Sequence, residues 1–281
     1  MEVEIMYKIG IFDSGVGGLT VLKEIQKIVP LSHIIYYGDN GNAPYGDKTE
    51  AEIKELCLKI GEFLYENEVD VIVIACNTAT AASIKTMKNK FPIPVIGVIE
   101  PGIRAALEVT QNKNIGVILT PASARMEAYK NVFDVIAPKT HTLTEKGCKL
   151  ICPMIENGWE DRYGNYLTDE IIKLYIEQIS PEIDTLILGC THYPIVEENI
   201  AKYFKKNIVN PANETANELL KNLSLIKPKD LNNTHPKVEY IVSGDSKRFI
   251  DSAEKFLGEK IDNIYELDLH KKYKELFHDA V

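Results

Sequence analysis

Tryptophan occurs once in 281 residues, and the five cysteines (57, 76, 148, 152 and 190) are odd in number and irregularly spaced. That excludes the disulfide framework of a small secreted domain and favours free thiols in a reducing cytoplasm. No apolar run reaches the roughly 20 residues that a membrane span requires, so no membrane partner is expected. The opening MEVEIMYKIG lacks the basic-then-apolar order of a secretory signal. Lys and Arg (32) are outnumbered by Asp and Glu (41), for a net charge of −9. Nucleic acid is therefore excluded as a main partner, since phosphate binding needs clustered basic side chains. Lys202, Lys205 and Lys206 are expected to form a solvated helix face. Clustered histidines are missing, and Cys148 and Cys152 stand at i,i+4 rather than as a CxxC pair, so core packing is expected of them and no metal site. The stretch Gly15-Val16-Gly17 has Thr20 where a dinucleotide fingerprint has its third glycine.

What is present is a repeated device. VDVIVIACNTAT (69–80) and IDTLILGCTHYP (183–194) each place an aspartate six positions before a cysteine, Asp70 before Cys76 and Asp184 before Cys190. The Val/Ile/Leu run between them suits a strand buried on both faces of a parallel sheet. A cysteine where such a strand stops lies at the carboxyl edge, where open α/β sheets place their ligands.

The rest of the chain follows α/β grammar. YKIGIF (7–12) predicts a strand, Asp13-Ser14-Gly15-Val16-Gly17-Gly18 a loop, and residues 19–29 a helix closed by Pro30. That corner presents unpaired helix N–H groups and is suited to anions, with a plain tight turn as its competitor. HIIYYG (33–38) predicts a strand, followed by a loop dense in turn residues from Asp39 to Gly46. A helix over 49–66 opens with Thr49 and Glu52 as a capping box, and Cys57 lies on its apolar stripe. NIGVILTPAS (114–123) repeats the layout of KIGIFDSGVG, which suggests internal duplication. Residues 144–179 are expected to be helical, interrupted around 157–165, and KVEYIVSG (237–244) to be a late strand before a helix from Ser246. Proline-rich punctuation at 91–102 and 207–216 predicts two crossings. The expected architecture is α/β: two pseudo-symmetric parallel-sheet lobes, 1–97 with 211–281 and 98–210, and an active site in the cleft between them.

Two thiols on equivalent edges fit inversion of a carbon stereocentre. Deprotonation on one face and reprotonation on the other need similar groups, because the reverse reaction exchanges their roles. A helix N-terminus beside each cysteine is expected to favour its thiolate. His192 follows Cys190 by two; Thr78 occupies that place after Cys76, and Asp13 is the best-placed helper there. Ser14, Asn77, Thr78 and Thr191 offer neutral donors to carboxylates, which an acidic protein needs at an anion site. Glu156, beyond Cys152, is on its own terms a solvated helix end.

With IGIFDSGVGGLTVL, GDNGNAPYG, ACNTAT and LGCTHYP in this order across nearly the whole chain, the sequence resembles the cofactor-independent aspartate/glutamate racemase family, on its glutamate side. The resemblance implies no cofactor, no metal, and interconversion of L- and D-glutamate that supplies peptidoglycan. It also implies a homodimer. Carried over by motif, Cys76 and Cys190 resemble the acid/base pair, Cys76 serving the D-isomer and Cys190 the L-isomer, with Asp13 and His192 as assisting groups. Substrate contacts implied are Asp13, Ser14, Tyr45, Gly46, Asn77, Thr78, Thr191 and His192, with Asp39 and Glu156 as supporting acids. One departure is Asn42, where the family commonly has arginine.

Overall fold

The computed structural model describes residues 6–159, 165–227, 236–269 and 271. Its frame is two sheets, each entirely parallel. The first comprises β1 (Tyr7–Asp13), β2 (Ser32–Gly38), β3 (Val71–Ile74), β4 (Val95–Gly97), β9 (Lys237–Val242) and β10 (Ile264–Glu266), in the order β10-β9-β2-β1-β3-β4. The second comprises β5 (Asn114–Leu119), β6 (Thr142–Gly147), β7 (Thr185–Gly189) and β8 (Asn207–Val209), in the order β6-β5-β7-β8. The series β2-β1-β3-β4 and β6-β5-β7-β8 are the same arrangement, so β3 and β7, which lead to Cys76 and Cys190, hold equivalent places.

Strand β3 is apolar at every position, and β7 is apolar from Leu186 to Leu188, because each separates two cores. Val71 and Val73 face one cluster with Leu22 and Ile25, while Ile72 and Ile74 face another with Ile53 and Ile60. In β7, Leu186 and Leu188 face one cluster and Ile187 the opposite one. The period of two sends alternate side chains to opposite faces, and parallel strands need both faces covered.

Helices α1 (Leu19–Ile28), α2 (Glu50–Glu66) and α3 (Asn77–Lys90) cover the first sheet. The capping box of α2 is present in full: Thr49 Oγ1 accepts from the Glu52 N–H, and Glu52 accepts from the Thr49 N–H. Cys57 is buried in the core beneath it, as its place on the stripe implies. Helices α4 (Ile99–Val109), α5 (Pro121–Arg125), α6 (Ala128–Ile136), α7 (Ile151–Glu156), α8 (Asn165–Ile176) and α9 (Glu197–Tyr203) surround the second sheet. Helices α10 (Pro211–Leu223) and α11 (Ser246–Leu257) pack back on α1.

Three expectations change. Residues 142–147 form a strand, not the start of a helix. TLTEKG is polar, but as an edge strand it pairs fully with β5, from Thr142 opposite Asn114 to Gly147 opposite Leu119, and this pairing overrides local propensity. The proline-rich crossings each contain a short strand, β4 and β8, whose three residues carry no periodicity. Lys202, Lys205 and Lys206 are exposed as expected but do not share a helix face, since the helix ends at Tyr203; Lys202 pairs with Asp169, and Lys206 donates to the Ile183 carbonyl at 2.7 Å. Residues 160–164 of the expected interruption at 157–165 lie outside the described residues. Among the described residues, no helix is long and apolar enough to cross a membrane.

Candidate active site

The carboxyl edges of the two sheets face each other, and the repeated aspartates show how each strand is set. Asp70 accepts from the Lys8 N–H at 2.8 Å, tying the start of β3 to β1. Asp184 accepts from the N–H groups of Gln111 and Asn112, each at 2.7 Å, and from the Thr110 hydroxyl. Burial pushes its carboxyl up, but these donors and Thr185 outweigh that and hold it at about 2. Both aspartates anchor the strand ends remote from the thiols.

At the near end of β3, Cys76 is the N-cap of α3, its sulfur accepting from the Ala79 N–H at 3.4 Å. Its thiol lies 3.6 Å from Ser14 Oγ. The helix start was expected to lower this thiol's pKa. Burial wins instead, with the Asp13 charge adding to it, and the Cys76 thiol is pushed up to about 12 despite the Ala79 N–H. Asp13 is fully buried at the end of β1, accepts from the Gly15 N–H at 2.8 Å, and is raised by that burial against the attraction of His192. A thiol and a carboxyl that both favour protonation therefore lie together on this side.

Cys190 directly follows β7, and a 3-10 turn, Tyr193–Val196, comes between it and α9; His192 stands before that turn without a side-chain cap bond to it. The neighbours of Cys190 are side chains. His192 Nδ1 lies 3.8 Å from Cys190 Sγ, and His192 Nε2 is in ion-pair contact with Glu156 Oε1 at 3.0 Å, outside hydrogen-bond alignment. Burial works against the imidazolium, but the Cys190 and Glu156 side chains prevail and raise the histidine. Glu156 is the exposed last residue of α7, as expected of a solvated helix end, and is in addition a partner of His192. Cys152, expected to be core, is half-buried, and its sulfur lies 3.4 Å from Cys190 Sγ. That contact, with burial, raises the Cys190 thiol. Cys148 is buried, as expected.

The cleft is closed by contacts between the sheets. Thr191 Oγ1 reaches Asp13 Oδ1 at 3.5 Å, and Thr20 Oγ1 donates to the Thr191 carbonyl at 3.1 Å. Thr78 Oγ1 lies 3.1 Å from both Thr120 Oγ1 and Ser123 Oγ. Asn77 Oδ1 accepts from the buried Tyr129 hydroxyl at 2.7 Å, which leaves its amide N–H groups for another acceptor. Tyr45 is buried and donates to Asp39 Oδ2 at 2.6 Å, and Asn42 donates to Asp39 Oδ1 at 2.9 Å. Asn42 is accordingly a neutral clasp on Asp39. The Gly46 carbonyl accepts from Arg125 at 3.0 Å, joining this loop to α5.

Asp13, Ser14, Cys76, Asn77, Thr78, Cys190, Thr191 and His192 converge in this cleft, Glu156 backs His192, and Asp39 and Tyr45 form a cluster on its flank. Thr120, Ser123, Arg125, Tyr129 and Cys152 were missed. The likeness of NIGVILTPAS to KIGIFDSGVG was the available signal for Thr120 and Ser123, since β5 is the counterpart of β1. A cavity of about 800 Å³ lies elsewhere, lined by residues such as Ile84, Lys88, Ile93, Arg104, Val132 and Glu218.

Residues 9–219 match the family model for Asp/Glu/hydantoin racemases. A glutamate racemase from Fusobacterium nucleatum is 40% identical over 256 residues, covering 91% of this chain and 96% of the relative. The crystal structure of a glutamate racemase isoform from Bacillus anthracis superposes with a TM-score of 0.85 at 35% identity, covering 94% of this chain and 98% of the other. The glutamate racemase from Francisella tularensis, solved with D-glutamate, gives 0.86 at 32% identity with the same coverage.

Proposed function

The chain belongs to the Asp/Glu/hydantoin racemase family, and we propose that it is a glutamate racemase in which Cys76 and Cys190 work opposite faces of the substrate Cα. The observation that carries this is the placement of the two thiols at the ends of β3 and β7, equivalent strands of matched sheets. One thiolate takes the Cα proton, and the electron pair remains on the carbon. The opposite thiol then delivers its own proton to the other face, which leaves the enzyme with the thiolate on that side. The reverse reaction exchanges the roles. No cofactor takes part in these steps.

Because burial raises the Cys76 thiol, and the Cys152 contact together with burial raises Cys190, forming the initial thiolate needs a local proton acceptor. Asp13 serves that purpose on the Cys76 side. On the Cys190 side it is His192, whose imidazolium is supported by Glu156. Asn77, Thr78, Ser14 and Thr191 supply neutral donors for the substrate carboxylates, and Tyr45 with Asp39 and Gly46 sets the wall of the cleft. Enclosure among fixed dipoles favours the carbanionic transition state, since these groups need no reorganisation as charge develops.

Hinges belong at the crossings near 97–98 and 210–211, dividing the chain into lobes 1–97 with 211–281 and 98–210. In support, Ile99 and Ile103 pack with the second sheet, and Ala212 and Leu219 with the first. The protein would act as a homodimer in the cytoplasm and feed D-glutamate to peptidoglycan synthesis; light scattering tests the dimer. The test of function is circular dichroism of L- and D-glutamate beside L- and D-aspartate, without pyridoxal phosphate, in heavy water. Glutamate should lose optical activity and gain deuterium at Cα. Silence on glutamate would refute the reading.

A further inference from the structure

Three ligand atoms meet beside the second thiol that the racemase reaction does not require together. Cys152 Sγ comes from α7, Cys190 Sγ from the end of β7, and a ring nitrogen of His192 from the residue before the 3-10 turn, all within 4.8 Å of one another. Two spacings are close to those of a tetrahedral zinc site. Bond lengths of about 2.3 Å to sulfur and about 2.05 Å to nitrogen place ligands about 3.8 Å apart for S···S and about 3.6 Å for S···N. The corresponding separations here are 3.4 Å for Cys152–Cys190 and 3.8 Å for Cys190–His192 Nδ1. A carboxylate stands behind the ring as well: His192 Nε2 lies 3.0 Å from Glu156 Oε1, within reach of the second-sphere bond of a metal site though not aligned as a hydrogen bond here. A carboxylate behind a ligating imidazole fixes the ring and raises its basicity.

We propose that Cys152, Cys190 and His192 form a binding site for a thiophilic divalent cation of the Zn2+ type, whose occupancy withdraws Cys190 from proton transfer and switches the enzyme off. The donor set of two thiols and one imidazole selects borderline-soft cations over Mg2+ and Ca2+, which prefer all-oxygen sites. Three protein ligands leave a fourth position for water or a substrate carboxylate. Cys152 has no part in the racemisation steps, so its sulfur is the element that turns a catalytic dyad into a chelating triad. The binding claim stands apart from the racemase reading; only its inhibitory consequence rests on that reading.

The experiment has two arms, run anaerobically with a phosphine reductant so that the thiols stay reduced. In the first, Co2+ is titrated into wild type and the Cys152→Val, Cys152→Ala and Cys148→Ser variants. Wild type and Cys148→Ser should develop tetrahedral d–d bands and sulfur-to-cobalt charge transfer at one equivalent, and the Cys152 variants should lose most of both. In the second, racemisation is followed at free Zn2+ clamped with nitrilotriacetate, each protein normalised to its own activity in EDTA. Loss of one of three ligands should raise the half-inhibiting Zn2+ concentration at least about tenfold. An octahedral cobalt spectrum, or cobalt bands and zinc sensitivity unchanged in both Cys152 variants, would overturn the proposal. So would a metal-loaded wild type with full activity. If no protein racemises glutamate in EDTA, the racemase reading fails while the cobalt arm still decides the site.

Discussion

Replacing Gly17 with alanine tests whether contact between the sheets sets the active geometry. A Cβ there would stand 2.3 Å from Thr191 Oγ1, 2.6 Å from His192 Nδ1 and 2.7 Å from His192 Cε1. Ordinary contact requires about 1 Å more, and no flexible chain end can yield it. The Thr191 backbone is held by the bond from Thr20 to its carbonyl, its hydroxyl is directed to Asp13 Oδ1, and the His192 ring is set edge-on to Phe256 with its centroid 5.9 Å away. The methyl therefore moves the β1–α1 loop or displaces Thr191 and His192. Overpacking of this kind costs about 1–3 kcal/mol. Spent on alignment in the closed cleft, that is about a 5- to 160-fold loss in kcat/KM. Gly15 is the control for the backbone, because a Cβ there meets nothing within 4 Å and its φ is not positive. Circular dichroism of D-glutamate racemisation measures the rate, and thermal melts of Gly17→Ala and Gly15→Ala separate misalignment from unfolding. A Gly17→Ala enzyme within twofold of wild type in kcat/KM, and with an unchanged Tm, would refute the reasoning.

Other predictions follow from the same contacts. Alanine at Cys76 or Cys190 removes the proposed proton carrier on one face and should lower kcat/KM by about 100- to 10,000-fold, with little change in Tm; full racemisation by either variant would eliminate the two-thiol mechanism. Tyr129→Phe removes the donor to Asn77 Oδ1 inside the protein and should cost about 1–3 kcal/mol in urea unfolding, with a rise in KM as Asn77 loses its orientation. The Asp184 carboxyl, held at about 2, has a folded pKa below its unfolded value, so its stabilisation is present above about pH 4 and lost as pH falls through about 2. Part exposure discounts its worth to about 1 kcal/mol, so Asp184→Asn should be less stable than wild type by that amount near neutrality and equal to it in strong acid. A gap independent of pH would show that the donors around Asp184, not its charge, matter.

The frame was legible because buried parallel strands must be apolar throughout and are bounded by turn residues. That requirement exposed β3 and β7, and with them both thiols. Strand β6 was illegible for the converse reason: TLTEKG looks soluble on its own, and only β5 makes it a strand. The candidate site was legible where its residues sit in a local motif, as for Cys76-Asn77-Thr78 and Cys190-Thr191-His192. It was illegible where distant elements meet. Nothing near Cys152 in the chain announces Cys190, 38 positions later, and Tyr129 looks like an ordinary core aromatic until its hydroxyl meets Asn77. The helix-start argument also failed on energetics, since it weighed one N–H donor against no burial at all.

The unlike neighbours of the two thiols, Asp13 on one side and His192 with Glu156 on the other, which we propose as their helpers, are bound by a law the protein cannot change. Enantiomers have equal free energy in an achiral solvent, so the equilibrium constant of the reaction is one. The quotient of kcat/KM in the two directions must then also be one, whatever surrounds each thiol. Asymmetry can appear only as a tighter-binding, slower direction opposed to a weaker-binding, faster one. For the same reason, damage at one thiol cannot produce a one-way enzyme: Cys76→Ser and Cys190→Ser must each slow both directions by the same factor in kcat/KM. Evolution has been free to differentiate the two halves because microscopic reversibility keeps their account balanced.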